Sequence, residues 1–302
     1  MNFKLDFVGH RRGFFIFSGV ILILGILSLL FQGLNLGVDF VSGTRVDIKI
    51  NQSYDLEEAK GHLKKLGYPS PDASRAGDKN EWLIFQTNQV LDHQDVGKIR
   101  EEFRSSYGDQ VDVNEQKVDP IVGRELVKNA IIALLIAFLG MILYVSFRFE
   151  YRMAVPAVLA LIHNVLVVTG FFSIFQWEVD LVYIAAILTI VGYTINDTIV
   201  IFDRIRENMD LEKPKTWEDF SKTVNESIQQ TLVRSINTSL TVVFAALSLF
   251  LLGGESIRYF SLALLIGLIF GAYSSICIAS QIWIGWKWKS MEKSKLKAQT
   301  AE

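Results

Sequence analysis

The chain has 302 residues and a formal net charge of −2; half of its residues are apolar, with 21 Phe and 6 Trp. Its apolar residues gather into six runs that approach or exceed the ~20 residues needed to cross a bilayer, which excludes an ordinary soluble globule. The single cysteine, Cys277, excludes an intrachain disulfide and a cysteine-based zinc site, and no GxxxxGK(S/T) or HExxH pattern offers nucleotide hydrolysis or zinc-protease chemistry. The chain therefore shows no means of hydrolysing nucleotide, and its net charge by itself says little about partners; the expectation is a protein that is not an enzyme, with no cofactor, no metal and no nucleic-acid partner.

Residues 1–13 carry Lys4, Arg11 and Arg12 and read as a cytoplasmic N-terminus. The stretch His10-Arg11-Arg12-Gly13 mimics a twin-arginine export signal. The apolar run at 14–31 is long, however, and no small-x-small cleavage site follows it, so residues 14–33 read as an uncleaved first membrane helix.

Residues 34–123 are polar and acidic on balance, and read as a folded extracytoplasmic domain. Residues 44–50 alternate Val46, Ile48 and Ile50, as a half-buried strand does. Residues 55–66 set Leu56, Ala59, Leu63 and Leu66 on one helical face, with Asp55 suited to the N-cap and Gly67 to the C-terminal end. A strand follows at 82–87, a helix at 95–107 through Val96, Ile99 and Phe103, and a last strand at 111–118. Three strands and two helices predict a small α/β, ferredoxin-like sandwich. His62 and His93 read as lone surface residues, and Asn51-Gln52-Ser53 as a background sequon.

Residues 124–286 hold the other five runs, at 127–147, 153–175, 181–202, 236–252 and 259–286. Arg148 and Arg152 place the second connection inside. The loop at 176–180 has Glu178 and Asp180 but no Lys or Arg, and reads as external. Arg204, Arg206, Lys213, Lys215 and Lys222 mark a cytoplasmic loop, and the tail at 287–302 is basic through Lys287, Lys289, Lys293, Lys295 and Lys297. The 253–258 loop is weakly informative. Six spans with both ends cytoplasmic satisfy every informative loop. Trp177, Trp283, Trp286 and Trp288 fall near span ends, where interfacial anchors sit.

The fourth run carries Asn196 and Asp197. A carboxylate at the centre of a membrane helix costs ~2.5–3.5 kcal/mol on insertion scales, so it is a functional-site candidate by default. Two readings stand for Asp197: local neutralisation by Arg204, which shares its helical face, or an ion-coupling group whose counter-charge is Arg234 across two helices. Arg234 itself reads either as that counter-charge or as a snorkelling interfacial arginine. Asn237 and Thr238 extend the polar stretch beside Arg234. Asp203 reads as an interfacial surface charge. His163 and Asn164 read as interhelical hydrogen-bonding glue or, for the histidine, as a relay. Gly267 and Gly271 form a GxxxG spacing suited to close helix contact.

The segments Gly37-Val38-Asp39-Phe40-Val41-Ser42-Gly43, Val122-Gly123-Arg124-Glu125-Leu126, 192–208 and 231–241 together resemble, in order and spacing, the SecF family of bacterial protein-export membrane proteins. Ser42 replaces the family's usual first glycine, and Asn164 stands where the family often has Asp. The resemblance implies the one-plus-five arrangement of half an RND-type transporter, with SecD as a separate or fused second half. It further implies the SecYEG channel and a translocating polypeptide as partners, and a place in the bacterial cytoplasmic membrane, in contact with the lipid bilayer. Proton-motive force is the implied energy source, with the positions of Asp197 and Arg234 tied to proton use and Gly37, Asp39, Phe40 and Gly43 starting the external domain. Two other readings stay open on the residues: a non-transporting membrane scaffold, and half of a small-molecule RND exporter. Sodium coupling also stays open, since Asn, Thr and Ser neighbours suit either ion.

Overall fold

The computed structural model describes residues 6–41, 43–76, 81–118, 120–148, 151–254 and 257–299. Lys4 and Ser42, used above, lie outside them. The elements in order are α1 (Arg11–Phe31), β1 (Asn35–Leu36), α2 (Val38–Val41), β2 (Gly43–Lys49), α3 (Leu56–Lys65), β3 (Asp72–Ala76), β4 (Trp82–Thr87), α4 (His93–Tyr107), β5 (Asp112–Val118), α5 (Pro120–Arg148), α6 (Tyr151–Phe175), β6 (Glu178–Val179), α7 (Leu181–Glu212), α8 (Trp217–Leu252), α9 (Arg258–Ser274), a π-helical turn (Ser275–Ala279) and α10 (Ser280–Gln299). They divide into two compact units. One comprises Met1–Asn35, Leu134–Trp177 and Val182–Glu302, the other Leu36–Ala133 and Glu178–Leu181.

The smaller unit is an antiparallel four-stranded sheet in the order β3-β4-β2-β5. With α3 and α4 between strands, the chain order is β-α-β-β-α-β, the connectivity of a split β-α-β unit. Strand alternation sends Val46, Ile48 and Ile50 to one face, where all three are fully buried with Leu63, Leu83, Ile99 and Phe103. Asp55 starts α3 by accepting the N–H groups of Glu57 and Glu58 at 2.8 and 3.1 Å, and Asp92 starts α4 by accepting that of Asp95 at 2.8 Å. Gly67 and Gly108 follow the two helices at φ of +98° and +97°. The sequence reading lacks β3. Only Ala73 of its five residues is buried, so the strand has almost no apolar pattern to betray it. His62 is not a lone surface residue. Its side chain is 11% exposed, pairs with Glu102 at 2.7 Å and packs edge-on to Tyr107. His93 is 93% exposed but lies 3.2 Å from Glu115.

The larger unit is helical. Among the described residues six helices are long and apolar enough to cross a membrane: Arg11–Phe31, Ile121–Phe147, Arg152–Phe175, Leu181–Glu212, Trp217–Leu252 and Arg258–Lys293. A 36-residue helix is about 54 Å long, well beyond a hydrocarbon core of about 30 Å. The polar turns of α7 after Asp203 and of α8 before Arg234 are thus accommodated as extensions of the same helices. The sequence reading starts the fifth run at residue 236 and treats 287–302 as a tail. The helices instead begin at Trp217 and continue to Gln299.

Small residues set the closest approaches. Gly25 of α1 lies against Gly170 of α6, where a Cβ on either would come within 3.0 Å of the other's Cα. Gly267 of α9 faces Ile190 and Gly271 faces Thr194, so the GxxxG spacing does mark a close contact, with α7. Ser28 and Ser173 hydrogen-bond at 2.7 Å beside the glycine crossing. Trp283 is a core residue rather than an interfacial anchor: it is 1% exposed and packs on Phe202 and Phe220. Much apolar surface of α1, α5 and α8 stays open, including Leu30, Leu135, Phe147, Phe244 and Leu252.

Candidate functional site

Asp197 lies midway along α7 and is buried. Its Oδ2 accepts a hydrogen bond from Ser239 Oγ of α8 at 3.0 Å. Beside it is a narrow cavity lined by Tyr193 and Thr194 of α7, Thr238 and Ser239 of α8, and Leu268, Gly271 and Ala272 of α9. The absence of a side chain at Gly271 is what admits the Thr194 hydroxyl, since a Cβ there would meet it at 2.5 Å.

Hydroxyls and amides continue from this cavity through the helix packing. Asn164 Nδ2 of α6 donates to Thr194 Oγ1 at 2.8 Å and to the Gly267 carbonyl at 3.1 Å. The hydroxyls of Thr198 and Ser275 lie 2.8 Å apart, which places the π-helical turn on α7 one turn beyond Thr194. Single π turns inside helices recur at functional sites. Both ring nitrogens of His163, the Asn164 Oδ1 and the Ser235 hydroxyl are buried with no hydrogen-bond partner among the described residues. Such atoms ordinarily have water or an ion to bind.

The other candidates distribute unequally. Arg204 does not neutralise Asp197. Its Nε donates to Gln230 of α8 at 2.5 Å and its Nη1 to Glu207 at 2.7 Å. Arg234 is exposed on α8 and makes no ion pair with Asp197 among the described residues, although its charge acts on the carboxylate through space. Asn196 is exposed, because one residue along a helix is a rotation of about 100° away from the face of Asp197. Asn237 is exposed too, while Thr238 lines the cavity. Asp203 accepts from Arg206 at 3.2 Å on a half-open surface, as an interfacial charge does. Ser239, Thr194, Thr198 and Ser275 complete the site and carry no strong signal in the sequence, because single hydroxyls are common in membrane helices.

Gly37, Asp39 and Gly43 of the motif each have a structural reason. Asp39 is buried and bridges two groups: Gln116 Nε2 donates to its Oδ1 at 3.0 Å, and the Leu181 N–H to its Oδ2 at 3.0 Å. The Gly37 N–H donates to the Val179 carbonyl at 2.9 Å, and a Cβ on Gly37 would strike Glu178. The Phe40 N–H donates to the Gly37 carbonyl at 3.0 Å. Gly43 opens β2 at φ +125°, where any Cβ would collide with the Thr87 carbonyl. Among the described residues no cluster of three or more His, Cys, Asp or Glu is placed to hold a metal.

The chain is similar to proteins of the bacterial export machinery. Residues 98–289 match the family described as protein export membrane protein SecD/SecF, C-terminal, and residues 27–53 match the SecD/SecF GG motif. The protein translocase subunit SecDF of Bacillus subtilis is 45% identical over 96% of this chain, which spans 39% of that protein. SecF of Alicyclobacillus acidocaldarius is 39% identical over 97% of this chain and 96% of its own length. The crystal structure of SecDF from Thermus thermophilus, described as a translocon-associated membrane protein, superimposes with a TM-score of 0.86 at 34% identity, covering 95% of this chain and 39% of that one. A SecDF in a super-membrane-facing form superimposes at 0.72 and 31% identity, covering 98% of this chain and 40% of that one. The match runs through both the sheet-bearing unit and the helices, and the chain belongs to the SecD/SecF family of protein-export membrane proteins as a SecF-type member.

Proposed function

We propose that this chain is the ion-coupled SecF-type half of a two-part export device. A SecD half completes it, and it acts with the SecYEG channel to draw polypeptides across the bacterial cytoplasmic membrane at the expense of the proton-motive force. The observation that carries the reading is the setting of Asp197. It is buried in a membrane-length helix, held by one hydroxyl, set beside a cavity and without an ion-pair partner among the described residues. A carboxylate so placed is costly unless it trades a proton or cation. The relatives named SecDF carry a second portion on the same chain, and this chain spans 39% of them. That supports SecD as the missing half. Both termini are cytoplasmic on this reading, with residues 34–123 outside.

The driving ion is a proton, and the test is direct. Export by the purified complex in vesicles is measured under a proton gradient alone and a sodium gradient alone. Stimulation by the proton gradient, lost in Asp197→Asn, is expected. Stimulation by sodium only would replace the proton in the proposal. Stimulation that survives Asp197→Asn would remove Asp197 from it. The interhelical bonds Asn164–Thr194 and Thr198–Ser275 favour a second reading, a scaffold in which polar groups only join helices. That reading predicts that Asp197→Asn disrupts co-purification with SecD rather than gradient dependence.

A further inference from the structure

A groove of about 1180 Å³ lies at the end of the helical unit where α1 and α8 begin. It exists because the segment before α1 is pinned to the side of α8. Phe7 and Val8 are buried, and their N–H groups donate to Asn225 Oδ1 at 2.9 and 3.1 Å. Asn225 Nδ2 donates in turn to Asp6 Oδ1 at 2.8 Å. This knot brings Arg11 and Arg12 of α1 into the same groove as Trp217, Ser221 and Lys222 of α8. The Arg11 guanidinium lies 5.3 Å from the centre of the Trp217 ring, and Trp288 of α10 backs that ring at 5.2 Å.

Charge in the groove is unevenly committed. Three carboxylates line it: Asp6, Glu218 and Glu226. Asp6 is occupied by the Gly9 N–H and by Asn225, each at 2.8 Å. Glu226 lies 4.0 Å from Lys222, and Glu218 is exposed in the first turn of α8. Among the described residues neither Arg11 nor Arg12 has a carboxylate at ion-pair distance. The Ser221 hydroxyl is buried with no hydrogen-bond partner among the described residues, and such a group ordinarily has water or a ligand to bind. Two guanidinium groups and a hydroxyl therefore line one space without an anion between them.

Two tracks of exposed apolar residues run from the groove into the spans. On α1, Ile16, Val20 and Ile23 follow Arg12 at helical spacing. On α8, Val233, Ile236 and Leu240 follow Gln229, which lines the groove. All six are at least 43% exposed, so both tracks are open to a bilayer. A cationic recess at the head of two apolar tracks matches an amphiphile with a phosphate head and two acyl chains. Guanidinium forks fit phosphate oxygens, and basic recesses between membrane helices take anionic head groups.

We propose that this groove is a binding site for an anionic glycerophospholipid. Arg11, Arg12 and the Ser221 hydroxyl hold its phosphodiester, Lys222 stands at the rim, and its acyl chains lie along the two tracks. The lipid joins the start of α1 to α8 and gives the helical unit a preference for an anionic leaflet. The site is separate from Asp197, and the inference does not rest on ion coupling.

The test is native mass spectrometry of the full chain in complex with SecD, in dodecylmaltoside, titrated with dioleoylphosphatidylglycerol or dioleoylphosphatidylcholine. The acyl chains are identical, so the head group alone separates the two lipids. Phosphatidylglycerol should be retained at a concentration at least about tenfold below that needed for phosphatidylcholine. A basic residue near an anionic head group strengthens binding about fivefold, so the Arg11→Gln/Arg12→Gln double variant should weaken retention of phosphatidylglycerol at least about tenfold. Lys222→Glu leaves the charges of α1 in place and decides the matter should the double variant not insert; it should weaken retention about fivefold. Inorganic phosphate in large excess should not displace the lipid. Full displacement would make this a site for a free anion and overturn the lipid assignment. Equal retention of the two lipids, or retention as in the wild type in both variants, overturns the proposal. Variants that keep the lipid but lose SecD would assign the groove to the partner protein and likewise overturn it.

Discussion

A hydroxyl is a weak partner for a buried carboxylate, and among the described residues Ser239 is the one that Asp197 has. Hydrogen bonds to charged groups contribute about 1.5–3 kcal/mol. Ser239→Ala should therefore lower gradient-stimulated export about ten- to a hundredfold and leave co-purification with SecD unchanged. Arg234→Ala should impair coupling less than Asp197→Asn does, since Arg234 acts on the carboxylate only at a distance, and Asp203→Asn should fall within twofold of the wild type. Initial export rates at a fixed imposed gradient rank these variants, and a defect in Asp203→Asn as large as that in Asp197→Asn would remove the distinction between buried and interfacial carboxylates. Asp197 was legible in the sequence because a carboxylate inside an apolar run is conspicuous. The direction of Arg204 was not. A shared helical face permits contact with Asp197, but Gln230 of another helix takes the guanidinium. The buried setting of Glu178 was hidden for a similar reason, since its partners Arg45 and Gln86 lie on strands some 90 to 130 residues earlier in the chain. Burial raises the Glu178 carboxyl above the ordinary value, Asp180 and Asp47 add to this, and the Arg45 guanidinium pulls the other way. A carboxyl shifted upward favours the folded state below its unfolded value, and that contribution fades as pH rises through the folded value.

Elements with a strong apolar period could be read directly. Strand β2 was legible from its alternating apolar residues, and helices α3 and α4 because each has one apolar face, a capping carboxylate and a following glycine. Strand β3 was not, being an edge strand with a single buried side chain. Residues 35–123 contain all four strands of the sheet and both of its helices, so this fragment should fold alone, with cooperative unfolding in urea. Ile99→Ala should cost it about 2–5 kcal/mol, the usual range for deleting a fully buried aliphatic side chain. A broad, non-cooperative urea transition would show that the sheet depends on the rest of the chain. Among the membrane helices, the small-residue spacing of α9 was readable as a contact but its partner was not. Gly267→Leu should force α9 off Ile190 of α7 and destabilise the purified protein by at least the ~1–3 kcal/mol typical of overpacking. A thermal unfolding midpoint in detergent equal to that of the wild type would contradict this packing.

At the scale of the whole molecule, apolar surface and charge bias point to a membrane-embedded half with an external domain. The exposed apolar faces of α1, α5 and α8 are suited to lipid and to a second membrane half. The proposed orientation, with both termini cytoplasmic, is argued from the charge of the loops. In a Cys277→Ala background, a membrane-impermeant thiol reagent applied from outside should modify Gln94→Cys, which is exposed on α4, and spare Lys213→Cys, which is exposed between α7 and α8. The opposite pattern would invert the topology. The central claim is that Asp197 carries the ion that powers export. It is tested most directly by proton flux into vesicles holding the complete complex, followed with an entrapped pH indicator while a polypeptide is translocated. The account predicts translocation-dependent flux in the wild type and its loss in Asp197→Asn, with SecD still co-purifying. Equal flux in the two proteins would contradict it.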